Sequence, residues 1–91
     1  MTKVKNLNGT TKNTPPTGYS SWKEWWEYKK GRSFSTCSRS GCLQSAVVGA
    51  HVQKVYGGNE WYIVPLCRTS NNQSSSVHFE VRDADLQAVN S

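Results

Sequence analysis

The chain has 91 residues, 35% of them hydrophobic, and a formal net charge of +5 at pH 7. This length leaves room for one domain whose core is close to the lower limit of self-sufficiency. The sequence has no apolar run long enough for a membrane helix, and we therefore expect no membrane partner. Three cysteines without a secretory leader favour free thiols or a metal site in a reducing, cytoplasmic setting.

The positive charge is concentrated in the first third of the chain. Residues 1–32 contain seven Lys/Arg and two Glu. This excess is compatible with an anionic partner such as nucleic acid, or with a solvated basic tail. The basic residues that we single out for phosphate contacts are Lys23, Lys29, Lys30 and Arg32.

Residues 1–19 are rich in Thr, Asn, Lys, Gly and Pro and show no clear periodicity. We predict an extended or flexible N-terminal arm there, with Val4 and Leu7 docking on the body of the protein. Residues 20–91 then form a single domain.

The segment SSWKEWWEYKKG at 20–31 predicts a short helix. Ser21 can cap its start, with Glu24 in capping-box position, and Gly31 can end it. Its tryptophans recur at i, i+3 and i+4, which places them on one face and predicts core contacts. The alternative is an exposed platform for stacking bases. These tryptophans are Trp22, Trp25 and Trp26.

Two strand-like segments, 46–56 and 60–66, are separated by Gly57-Gly58-Asn59 and predict a β-hairpin. A three-residue loop would place His51 opposite Pro65 and diagonal to Cys67, on one sheet face. Both side chains could then reach one ion.

The three cysteines provide soft metal ligands, and a closed zinc site needs four ligands. His51 is the best fourth donor by the register argument, with His78 and water as alternatives. Ser70 stands one helical turn after the last cysteine, but serine is a poor zinc ligand. Without a metal, the thiols would simply be buried. The predicted zinc ligands are Cys37, Cys42, His51 and Cys67.

After the hairpin, residues 67–76 read as about one turn followed by a loop. Residues 77–81, VHFEV, alternate and predict a strand. Residues 83–89 predict a short helix capped by Asp83. The predicted fold class is therefore α+β: a small zinc-stabilised, treble-clef-like hairpin with a short tryptophan-rich helix before it, and a strand and a short helix after it.

The order Cys-x4-Cys, GAHV, hairpin and VPLC resembles a treble-clef zinc finger and a compact relative of the HNH nuclease fold. The chain also resembles an uncharacterised family of small bacterial and phage proteins in four segments: NLNGT at 6–10, SSWKEWWE at 20–27, VVGAHVQK at 47–54 and WYIVPLC at 61–67. In that family we expect a His or Cys where this chain has Ser70. Further ligands are expected where Pro15, Pro16 and Trp25 stand, so the resemblance implies a single metal site that relies on His51.

The resemblance also implies two functions. In an HNH-like nuclease, His51 would be the general base, although Ala50 stands at a position that often binds metal. The long loop that carries a functional Asn is shortened here to Gly57-Gly58-Asn59. We therefore predict a non-catalytic zinc-binding module that binds nucleic acid or a protein, and keep the nuclease as the alternative.

Overall fold

The structure is a computed structural model that describes residues 1–7 and 14–89. Over these ranges the chain forms five strands, two α-helices and one turn of 3-10 helix. The strands are β1 (Thr2–Asn6), β2 (Val48–Lys54), β3 (Trp61–Leu66), β4 (His78–Val81) and β5 (Gln87–Ala88). The helices are α1 (Trp22–Lys30) and α2 (Arg68–Asn71), and the 3-10 turn is Asp83–Asp85.

In the described part of the chain, all five strands join one antiparallel sheet in the order β4-β1-β2-β3-β5. The α+β class is confirmed, and β2 with β3 is the predicted hairpin. The sheet is larger than that hairpin because β1 pairs along β2 and β5 pairs along β3. An isolated hairpin is marginally stable in water, and these additional strands supply the pairing that it lacks.

The hairpin register differs from the predicted one by two residues. His51 lies opposite Ile63, and Gln53 opposite Trp61, so the connection spans residues 55–60. Gly57 and Gly58 both adopt positive φ, which lets this longer loop reverse the chain. A shift of two residues leaves every side chain on its original face of the sheet.

The strands alternate between two faces, each with its own core. What we call the cysteine face carries one buried cluster: Val4, Cys37, Ala50, Val52, Val64, Leu66, Cys67, Phe79 and Val81. What we call the helix face carries Ile63 packed against two tryptophans of α1, Trp25 and Trp26. The sheet therefore separates the cysteines from the helix.

Helix α1 begins and ends as its sequence predicts. The Ser21 side chain accepts a hydrogen bond from the Glu24 N–H at 3.1 Å, and Gly31 takes the left-handed conformation with φ 70°. Trp25 and Trp26 are buried, which favours the core interpretation over a stacking platform. The helix start crosses β2 closely at Gly49, where an added Cβ would lie 2.8 Å from backbone atoms of α1.

The segment predicted as an extended or flexible N-terminal arm begins with strand β1. Thr2–Asn6 lies inside the sheet, between β2 and β4, and Val4 is fully buried as the predicted docking residue. Buried Asn6 donates from its side-chain amide to the backbone carbonyls of Ser70, Asn71 and Gln73. Residues 8–13 of the predicted arm lie outside the described residues.

The C-terminal part confirms one prediction and corrects another. The strand predicted at 77–81 is present as β4, with Phe79 and Val81 buried. The helix predicted at 83–89 is instead the 3-10 turn followed by β5. The buried Asp85 explains this, because its carboxylate pairs with Arg32 and Arg82 and fixes the turn.

Candidate metal centre

Cys37 and Cys42 lie in a tight loop on the cysteine face. The Cys37 N–H donates to the Gln44 carbonyl at 2.8 Å, and the Cys42 N–H donates to the Arg39 carbonyl at 3.0 Å. Gly41 supplies the positive φ of 80° that this turn requires. The Cys-x4-Cys segment is therefore folded back on itself, which brings its two thiols to the same side.

Cys67 reaches the same place from the end of the hairpin. Strand β3 ends at Leu66, and Cys67 is the N-cap of α2, where its sulfur accepts a hydrogen bond from the Ser70 N–H at 3.5 Å. Strand alternation no longer determines its direction at this position. The thiol consequently joins the cluster on the cysteine face.

The three sulfur atoms lie within 4.8 Å of one another, and those of Cys42 and Cys67 are 3.7 Å apart. All three cysteines are free thiols, and Cys37 and Cys67 are buried. With Zn–S bonds of about 2.3 Å, the sulfurs of a tetrahedral zinc site are about 3.8 Å apart. The spacing of the sulfurs is therefore compatible with tetrahedral coordination of a single metal ion.

Hydrogen bonds, burial and neighbouring thiols shift the pKa values of Cys67 and Cys42 in opposite directions. The Ser70 hydroxyl and N–H lower the pKa of Cys67 to about 7, against the opposing effect of burial. At Cys42 the Gln44 N–H lowers the pKa, but burial and the neighbouring thiols outweigh it and raise the pKa overall. The lowered pKa of Cys67 favours its thiolate, and a bound cation would accommodate that negative charge.

His51 does not join the sulfurs. It lies opposite Ile63 on the helix face, with its ring 4.8 Å from the Trp22 ring and 5.9 Å from the Trp61 ring. The predicted contact required alternation to continue through Cys67, which instead caps α2. Among the described residues, the structure thus groups three of the four predicted ligands, Cys37, Cys42 and Cys67.

The environment of His51 is apolar. Its Nε2 is buried and has no hydrogen-bond partner among the described residues, and burial lowers the pKa of the imidazole. His78, the other candidate ligand, is exposed on β4 next to buried Phe79 of the cysteine face, so by strand alternation its side chain also belongs to the helix face. Neither imidazole is oriented toward the thiols.

Most of the basic residues predicted to contact phosphates are engaged within the fold. Lys23 pairs with a glutamate on the next turn of α1, and Lys30 donates to a backbone carbonyl just before β5. Arg32 forms an ion pair with buried Asp85 and lies over an indole ring of α1. Lys29 is exposed. The predicted basic surface is therefore largely a set of intramolecular contacts.

No known family model, curated protein or solved structure matches this chain. The resemblance to small bacterial and phage proteins thus stays a prediction. Within residues 1–7 and 14–89, no helix has the length and apolar character needed to cross a bilayer.

Proposed function

We propose that this protein is a non-catalytic zinc-binding module. The observation that carries the proposal is the convergence of all three thiols from two separate segments onto one point. Thiolates are soft ligands that suit zinc, and their spacing fits its tetrahedral geometry. An ion there would join the Cys37–Cys42 loop to the end of the hairpin, where α2 is too short to be stable alone.

The order of elements supports a treble-clef-like arrangement. A thiol loop comes first, the hairpin β2–β3 follows, and a helix N-terminus supplies the last sulfur at Cys67. The Ser70 N–H donates to the Cys67 sulfur, as outer contacts of a metal-bound thiolate do. A reducing cytoplasm, which keeps thiols available for metal, is the proposed setting.

The nuclease alternative is less well supported. A general base must reach water or substrate, and His51 would have to activate a water next to a phosphate. Its Nε2 is instead buried, and its ring contacts two tryptophan side chains, Trp22 and Trp61. We therefore place His51 in the packing of α1 against the sheet. Plasmid incubated with the protein and magnesium or manganese should remain intact.

A protein is the favoured partner of this module. Leu43, directly after Cys42, is 90% exposed, so the metal loop presents a large apolar side chain to solvent. The predicted phosphate contacts are, by contrast, mostly engaged within the fold. Leu43→Asp should abolish capture of a partner at unchanged zinc content. Salt-sensitive retardation of DNA or RNA would instead favour nucleic acid.

Metal content tests the central claim. Elemental analysis of the purified chain should give one zinc per molecule, and Cys42→Ser should lose it. His51→Ala should retain the zinc, because the imidazole lies on the other face of the sheet. A wild-type chain without metal, or metal content unchanged by Cys42→Ser, would overturn the proposal.

A further inference from the structure

A fourth polar side chain points at the thiol cluster. Ser70, in the single turn of α2, is only 2% exposed, and its hydroxyl oxygen lies 3.4 Å from the Cys67 sulfur and 3.7 Å from the Cys37 sulfur. A buried hydroxyl needs partners, and these two sulfurs are the ones that the structure provides for it. Ser70 is thus part of the cluster itself.

The distances suit a ligand atom. In a tetrahedral site with Zn–S bonds of about 2.3 Å and a Zn–O bond of about 2.0 Å, oxygen and sulfur are about 3.5 Å apart. The two distances from the Ser70 oxygen bracket this value. The Ser70 oxygen therefore lies at the spacing of a shared ligand from two of the three sulfurs, those of Cys37 and Cys67.

Backbone contacts hold Ser70 at that position. Its N–H donates to the Cys67 sulfur, and its carbonyl accepts from the side-chain amide of Asn6 at 2.9 Å. The same amide donates to the carbonyls of Asn71 and Gln73, at 3.3 and 3.1 Å. Asn6 is therefore a positioning residue, which clamps the α2 turn from the neighbouring strand β1.

We propose that the Ser70 oxygen is the fourth metal ligand, giving a site of three thiolates and one oxygen. This inference rests on the proposed function, since it requires zinc at Cys37, Cys42 and Cys67. A hydroxyl oxygen is a harder and weaker donor for zinc than thiolate or imidazole. Replacing the Ser70 oxygen by a softer ligand at this fourth position should therefore increase the affinity of the site for zinc.

Cobalt(II) loaded into the full chain in place of zinc tests the assignment, because thiolate-to-cobalt absorption reports the number of bound sulfurs. Ser70→Cys should raise this absorption by roughly one third, from three thiolates to four. It should also tighten zinc binding by about 10-fold or more in competition with a chelator. Thr69→Cys is the matched control, because Thr69 is exposed on the adjacent position and should add nothing.

A second variant separates a bound hydroxyl from a bystander. Ser70→Gly leaves the fourth coordination position open, so added imidazole should shift the cobalt spectrum of this variant and not that of the wild type. If glycine unfolds α2, Ser70→Ala is used in place of Ser70→Gly. Three-thiolate absorption without a gain in Ser70→Cys, or equal imidazole binding by wild type and Ser70→Gly, overturns the assignment of Ser70 alone. Failure of the wild type to bind cobalt overturns the proposed function as well.

Discussion

Three thiols and a serine pack against one face of the sheet, and a helix with two buried indoles packs against the other. Helix α1 has its own caps, and each buried tryptophan removes roughly 150–250 Å² of surface from water. The cysteine face is covered by the Cys37–Cys42 loop and the four-residue α2, neither of which is stable on its own.

This contrast indicates how a chain of this length stabilises a sheet that is covered on both faces. Both sides use hydrophobic packing, and on the cysteine face the proposed metal would in addition join the Cys37–Cys42 loop to the start of α2. The two sides should therefore respond differently to metal removal, to core truncation and to pH.

Metal removal should give the largest effect. A chelator, or Cys67→Ser, takes away an interaction that contributes on the order of 10 kcal/mol in small zinc domains, so we expect most of the chain's stability to be lost. Urea unfolding followed by circular dichroism, with and without chelator, measures this loss. Equal midpoints in the two conditions would contradict a stabilising metal. The chelator should have little further effect on Cys67→Ser.

Truncation of the helix-face core should come next. Trp26 is fully buried, and its indole N–H donates to the Asp85 carbonyl at 2.8 Å. Trp26→Ala should cost about 3–5 kcal/mol in unfolding free energy while the bound metal stays at one ion per chain. Tyr28→Ala is the control on the same helix, because Tyr28 is 69% exposed and should change stability by less than about 0.5 kcal/mol. Loss of metal in Trp26→Ala without unfolding would show that the two faces are not independent.

The sequence predicted the helix face more completely than the cysteine face. The caps and periodicity of α1 are local signals, and Ser21 and Gly31 therefore gave its bounds correctly. Strand β1 has one apolar residue, Val4, between two lysines, and its pairing partners lie far along the chain. Such a strand is defined by tertiary contacts that no local pattern shows.

The candidate site was predicted in part for a similar reason. The cysteines stand out by residue type, but His51 was chosen by extending strand alternation one residue too far, into the cap of α2. The spacing of Cys67 and Ser70 did place the two on one side of a helix start, but Ser70 was set aside because serine is a poor zinc ligand. A serine at that spacing is chemically inconspicuous until its burial is known.

Acid should weaken the turn that joins α1 to the C-terminal part of the chain. Burial raises the pKa of Asp85, but hydrogen bonds from Arg32 and Arg82 outweigh this and lower it from its ordinary value of 3.8. A lowered carboxyl pKa contributes stability that is fully present above 3.8 and is lost as pH falls through the folded-state value. Unfolding midpoints across this range should fall more steeply for wild type than for Asp85→Asn. Parallel slopes would mean that the two arginines do not stabilise the carboxylate.

The smallest effect concerns His51. Burial lowers its pKa from the ordinary 6.5, so the folded state binds a proton less readily than the unfolded chain. Its contribution to stability is therefore complete above pH 6.5 and declines as pH falls toward the folded-state pKa. NMR titration of the imidazole should give a pKa below 6.5. Since the ring packs against Trp22 and Trp61, its signals should not change with chelator while the chain stays folded. A pKa of His51 that changes with chelator would instead indicate that this imidazole binds the metal, and that the two faces of the sheet are not independent.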